Sequence, residues 1–132
     1  MRSFDAPRPR PAPDSFRGLT LDGESVERSF TGLTLVVAIK PDCDGCRDFL
    51  ESSLDEFGEL EVLLVSAQFD PRNEWKDSRH EIVVAPDLLS LLEIRWPPFY
   101  VLIDPRVGTV LVEGVVFGPG QVAQEIKSYV TP

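Results

Sequence analysis

The sequence is poor in the residues that metal centres and disulfide scaffolds require: two cysteines, one histidine and one methionine in 132 residues. Two cysteines are too few for a disulfide framework. With His80 they also fall short of the about four ligands of a closed zinc site, so no resident metal is expected. A carrier holding a soft ion such as copper(I) between two thiolates stays open. No apolar run approaches the ~20 residues of a membrane-spanning helix, so membrane insertion is not expected. Cations are scarce too: 13 Lys and Arg against 22 Asp and Glu give a net charge of −9. That balance argues against a binder of nucleic-acid phosphates and against anchoring on anionic lipid. It suits both plain solubility and basic protein partners and selects neither. Residues Met1 to Pro13 lack the apolar stretch of a secretion signal, so a cytoplasmic location is expected. An exported form whose signal or anchor had been removed would read the same.

What is present fits one globular unit. A hydrophobic share of 42% and a charged share of 27% are ordinary, and the length suffices for a buried core. Pro7, Pro9, Pro11 and Pro13 alternate with Arg8, Arg10 and Ala12, which prevents helix formation. Residues 1–13 therefore read as a proline-rich flexible tail, and residues 14–132 as a single domain. Phe16 to Val26 reads as a hairpin turning at Asp22-Gly23. Leu33 to Ile39 is a continuous apolar run, as expected of a strand buried on both faces. Phe49, Leu50, Leu54 and Phe57 recur at helical spacing up to Gly58, and Glu61 to Ser66 is a second buried strand, parallel to the first.

Ala67 to His80 is polar, with a helical turn expected around Trp75, which reads as an anchor for its loop; His80 reads as a loop residue. Glu81 to Val84 is a short strand. Pro86 and Asp87 open a helix carrying Leu88 to Ile94, with Asp87 placed to cap it. Phe99 to Ile103 and Thr109 to Phe117 form a hairpin around Gly108. Gln121 to Val130 closes the chain as a helix with Val122, Ile126, Tyr129 and Val130 inward.

Both cysteines fall in Lys40-Pro41-Asp42-Cys43-Asp44-Gly45-Cys46-Arg47, between a strand and a helix. A thiol pair three residues apart at a helix N-terminus can form a disulfide, and a thiolate there is stabilised by the helix. The end of a central strand is also where open α/β sheets place their sites.

With this element order, three segments carry a resemblance. Ala12-Pro13-Asp14 with Asp22-Gly23-Glu24, Cys43-Asp44-Gly45-Cys46, and Pro98-Phe99-Tyr100-Val101-Leu102-Ile103-Asp104 together resemble the thioredoxin-like superfamily, in its bacterial branch related to cytochrome-maturation thioredoxins and peroxiredoxins. The resemblance spans about Ala12 to Val130. It implies a thioredoxin-like α/β fold, a central mixed β-sheet flanked by helices, here with an N-terminal hairpin extension. It also implies thiol–disulfide oxidoreductase activity without a cofactor, with Cys43 the attacking thiol and Cys46 the buried resolving thiol. Pro98 matches the family's cis-proline, which opens backbone to an extended substrate segment. The implied partners are a protein or small-molecule disulfide and a reductase or thiol electron donor.

The chain departs from the family pattern around this site. Asp42 stands where the family usually has Trp, Asp44-Gly45 replaces the common Gly-Pro, and Pro97 removes a backbone N–H beside Pro98. Val37 occupies the position of the acid that thioredoxins bury. Asp42 and Asp44 disfavour a Cys43 thiolate, while Lys40 and Arg47 partly offset them. A thiol less acidic than in strongly oxidising relatives follows, hence a disulfide comparatively hard to reduce. Pro97 and Pro98 are assigned to the substrate groove, and Trp96 to that groove or, with preference, to core packing. The peroxiredoxin Pro-x-x-x-Thr-x-x-Cys pattern is absent at both cysteines. The expected function is a disulfide reductase using Cys-Asp-Gly-Cys. The alternative is a redox-silent interaction module of the same fold that binds through the Trp96–Pro98 face.

Overall fold

The computed structural model describes residues 10–52, 55–78 and 80–130, the side chain of Asp77 excepted. Seven strands form one mixed sheet in the order β2-β1-β5-β4-β3-β6-β7. They are β1 (Ser15–Leu19), β2 (Ser25–Ser29), β3 (Thr34–Ile39), β4 (Glu61–Ser66), β5 (Ile82–Val84), β6 (Phe99–Asp104) and β7 (Thr109–Val115). Three helices accompany them: α1 (Asp44–Glu51), α2 (Pro86–Leu91) and α3 (Pro119–Val130). Among the described residues no helix is long and apolar enough to cross a membrane.

The centre of the sheet follows from the uninterrupted apolar runs. β3 pairs in parallel with β4 and antiparallel with β6, and every one of its residues is buried. Alternate side chains of β3 serve opposite layers. Val36 and Ala38 join Val65, Val101 and Ile103 under the α2 residues Leu88 and Leu89. Leu35, Val37 and Ile39 join Phe49 of α1 and Val122 and Ile126 of α3. A strand clamped between two layers needs apolar residues on both faces, so it shows no alternation.

Several boundaries differ from the pattern in the sequence. α1 ends at Glu51 because Ser52 closes it, its backbone N–H and its hydroxyl both directed at the Phe49 carbonyl. Phe57 is still buried, but on a separate 3-10 turn, Asp55–Phe57; Leu54 lies outside the described residues. Asp87 does not cap α2: the N-cap is Ala85, with Pro86 opening the first turn and no side-chain bond to the cap. β7 stops at Val115, and Tyr129 is 46% exposed while Val122 and Ile126 are buried. Trp75 is buried and anchors its 3-10 turn (Glu74–Asp77) in the α1–α3 layer.

Of the proline-rich stretch, residues 1–9 lie outside the described residues, but Arg10 to Ala12 pair with the edge of the β6–β7 hairpin. Val110 N–H donates to the Arg10 carbonyl and Ala12 N–H to the Gly108 carbonyl, both at 2.9 Å. Pro11, opposite Thr109, lies between them, where its missing N–H costs no ladder bond. The Arg10 guanidinium donates to the Leu92 carbonyl at 2.6 Å and pairs with Glu113.

Candidate active site

β3 ends at Ile39, and Lys40, Pro41 and Asp42 turn the chain into α1. Asp42 takes a left-handed backbone conformation, φ 56°, which aspartate tolerates better than most residues. Cys43 is the N-cap of α1: its Sγ accepts the N–H of Cys46 at 3.2 Å, and its carbonyl accepts that of Arg47. This is the place where a helix end offers unsatisfied donors to a negative sulfur. Cys43 and Cys46 are joined as a disulfide, with Cα atoms 5.2 Å apart. Cys46 is buried among Phe49 and Ile39, whereas Cys43 only borders that layer. One sulfur is therefore reachable and the other shielded.

The loop after α2 faces this pair. The Pro97–Pro98 peptide bond is cis, and the Pro98 carbonyl accepts the N–H of Val116 at 3.1 Å. A Cβ on Gly45 would lie 3.4 Å from Pro98 Cγ, so the middle of the Cys-Asp-Gly-Cys turn packs directly against the Pro98 ring. Trp96 is 78% exposed. The preference for core packing is thus corrected: the two prolines and β6 hold the loop without it, and its ring is left in solvent. Phe117, next to Val116 and also 78% exposed, belongs to the same rim. The apolar run from Thr109 places Phe117 in the strand, whereas β7 ends at Val115.

Around Cys43 each flanking aspartate meets an arginine. Arg47 lies 4.0 Å from Asp44, one turn along α1. Asp42, however, is met by Arg72, at 3.1 Å, from the segment between β4 and β5. Nothing local in the sequence pairs these two residues, and Arg72 was not singled out there. Lys40 lines a groove of about 550 Å³ beside Cys43, together with Arg47, Leu50, Glu74 and Trp75. A larger hollow, about 700 Å³, opens at the other end of the sheet between the β2–β3 loop and Glu56–Glu61. It holds neither cysteine, so we place the chemistry at the smaller groove. Among the described residues no group of three or more His, Cys, Asp or Glu side chains is placed to hold a metal ion.

Val37 is fully buried and lies directly across from Tyr100 in the β3–β6 register. The Tyr100 hydroxyl turns to Glu125 on α3, donating at 2.6 Å. Burial, reinforced by that bond, pushes the Tyr100 hydroxyl well above its ordinary pKa, so it is no proton acceptor near neutrality. The same bond, with help from Gln121, holds the Glu125 carboxyl below its usual range. His80 Nε2 donates to the Ser52 carbonyl at 2.6 Å, behind the end of α1.

A central mixed sheet between helical layers, with Cys-x-x-Cys capping the first helix against a proline-led strand, defines a thioredoxin-like fold. Solved structures agree along almost the whole chain. A putative thiol:disulfide interchange protein DsbE from Chlorobium tepidum superposes with a TM-score of 0.68 at 19% identity, covering 96% of this chain and 100% of that one. A thiol:disulfide interchange protein from a Bacteroides species gives 0.66 at 22%, covering 92% and 89%. The exposed lipoprotein thioredoxin Etrx1 of Streptococcus pneumoniae gives 0.65 at 17%, covering 86% and 98%. No protein-family model and no curated protein sequence matches the chain. At these identities the likeness establishes the fold.

Proposed function

We propose that the protein is a thiol–disulfide oxidoreductase acting as a disulfide reductase. The observation that carries this reading is the asymmetry of the pair: a reachable Cys43 that caps α1, bonded to a buried Cys46, opposite Pro98. In the reduced protein the Cys43 thiolate attacks one sulfur of a substrate disulfide, forming a mixed disulfide and expelling the first substrate thiolate. Cys46 gives up its proton and attacks Cys43 Sγ, which closes the Cys43–Cys46 bond and expels the second thiolate. Two electrons pass from the pair to the substrate, and a reductase or small thiol returns them.

The rim of exposed Trp96 and Phe117 with half-buried Pro97 and Pro98 would receive the polypeptide carrying a protein disulfide, and Lys40, Asp42 and Asp44 would set the acidity of Cys43. The named neighbours include thiol:disulfide interchange proteins, which supports this chemistry. A cytoplasmic location favours the reductase direction. An exported form, for which an exposed lipoprotein neighbour is a precedent, would run the same exchange against a different partner.

The second reading, a redox-silent interaction module, draws on the two exposed aromatic rings of that rim. One assay separates the two: turnover of a protein disulfide with an excess thiol donor, for wild type, Cys43→Ser and Cys46→Ser. The reductase reading expects turnover in wild type and none in Cys43→Ser. For Cys46→Ser, mixed with the disulfide before the thiol donor is added, it expects an accumulating mixed disulfide. Equal inactivity of all three, with no mixed disulfide, refutes it in favour of the interaction module.

A further inference from the structure

The segment from Ala67 to Ser78 is built as a fixed wall beside the thiol pair. The Asp70 carboxylate accepts the backbone N–H groups of Arg72 at 3.1 Å, Trp75 at 3.0 Å and Glu74, while the Asp70 carbonyl accepts that of Asn73 at 3.0 Å. Trp75, 6% exposed, sinks into the core layer that holds Cys46. From this wall the Arg72 side chain reaches Asp42 at 3.1 Å, both side chains being largely exposed. Asp42 in turn directly precedes Cys43, in a left-handed backbone conformation.

We propose that Arg72 is a positioning residue for the thiol pair: it holds the Asp42 carboxylate on the 67–78 wall and cancels its charge, so that the Cys43 thiolate forms near neutral pH despite its acidic flanks. The inference rests on the oxidoreductase reading and extends it. The remaining charged groups facing Cys43 are Lys40 from the β3–α1 turn, Asp44, Arg47 and Glu51 from α1, and Glu74 from the wall. Across the pair, the Pro98 loop and Val116 offer uncharged groups, with Arg95 preceding Trp96. Arg47 is already shared with Asp44. Losing Arg72 would leave Asp42 to face Lys40 across a groove that Glu51 and Glu74 also line.

The test is the pH dependence of Cys43 alkylation in the reduced protein, which needs no substrate. A neighbouring unit charge in a largely aqueous setting moves a thiol pKa by about half a unit to one unit. At ~10 mM ionic strength Arg72→Ala is expected to raise the Cys43 pKa by about that amount, Arg72→Lys to stay near wild type, and Asp42→Asn to lower it. In an Asp42→Asn background the effect of Arg72→Ala should fall below half its original size. At ~1 M salt, where screening acts within about 3 Å, all these differences should collapse. The proposal is overturned if Arg72→Ala moves the pKa by less than about 0.2 units at low salt. It is also overturned if the shift is equally large without Asp42, since Arg72 would then act as a distant charge and not through that carboxylate. Shifts as expected in a protein that turns over no disulfide would support this inference while refuting the reductase reading.

Discussion

Oxidised and reduced forms of the protein should differ in stability, in a direction the structure specifies. The bond between Cys43 and Cys46 spans a sequence separation of 3. In the chain-entropy account, closing so small a loop removes about 2 kcal/mol of freedom from the unfolded chain. Against this stands the stabilisation of a Cys43 thiolate at the start of α1, where a helix terminus contributes about 0.3–1 kcal/mol. Here that gain is opposed by Asp44, whose carboxylate is fully exposed and only loosely held by Arg47 at 4.0 Å. It is not reinforced by Asp42, which Arg72 occupies. The loop term wins, and the oxidised protein should be the more stable by about 1–2 kcal/mol. Linkage turns this into a reduction potential about 20–45 mV below that of an unstructured Cys-x-x-Cys chain, at about 30 mV per 1.4 kcal/mol. The measurement is a pair of urea unfolding curves at pH 7, one with the disulfide intact and one after full reduction, compared with the potential from equilibration against a thiol buffer. A reduced form equal to or more stable than the oxidised one would refute the reasoning, because it would mean that the helix terminus dominates, as in a strong oxidant.

Three further outcomes are expected. Trp75→Ala empties a buried site and should cost about 3–5 kcal/mol; it should also raise the Cys43 pKa, since the wall carrying Arg72 comes loose, and an unchanged alkylation profile would separate the two. Gly18→Ala would set a Cβ 2.7 Å from the Val84 carbonyl oxygen and 2.9 Å from Ala85 Cβ, and should lower stability by about 1–3 kcal/mol, whereas Gly32→Ala, with nothing within 4 Å, serves as the control in the same denaturation series. Tyr100→Phe removes the hydroxyl that bonds Glu125 and should cost about 1 kcal/mol at pH 7. Because that bond holds the Glu125 carboxyl below its usual range, its contribution is present above the unfolded carboxyl value of about 4.3 and is lost as pH falls through the depressed folded value. Wild type and variant should therefore converge in acid; a gap as wide below that range as at pH 7 would show that the bond is not the cause.

Much of this molecule was legible locally. The unbroken run from Leu33 to Ile39 announced a strand covered on both faces, and β3 is buried at every position. Gly23 at φ 86° and Gly108 at φ 66° mark the turns expected around Asp22-Gly23 and Gly108. The two cysteines were placed at the start of a helix by their neighbours alone, and Cys43 caps α1. Each of these is a property of consecutive residues, where steric limits and periodic burial leave a direct trace.

Other features have no such trace. Periodicity continued α1 to Phe57, but it cannot register that Ser52 would take the Phe49 carbonyl and end the helix early. Trp96 has the composition of a core residue, and only the path of the loop through Pro97 and Pro98 leaves it in solvent. Arg10 to Ala12 read as tail because their partners, Gly108 to Val110 and Leu92, are remote in sequence.

The sequence by itself determined the kind of site: a thiol pair at the end of a central strand and the start of a helix, flanked by two aspartates. Only the tertiary structure decided how those aspartates are met. It brought Arg72 from a separate crossover to Asp42, left Asp44 in solvent with Arg47, and buried Cys46 while leaving Cys43 half-buried at the edge of that layer. A charge acts through space with a strength set by distance and solvent, and neither is fixed until the chain has folded.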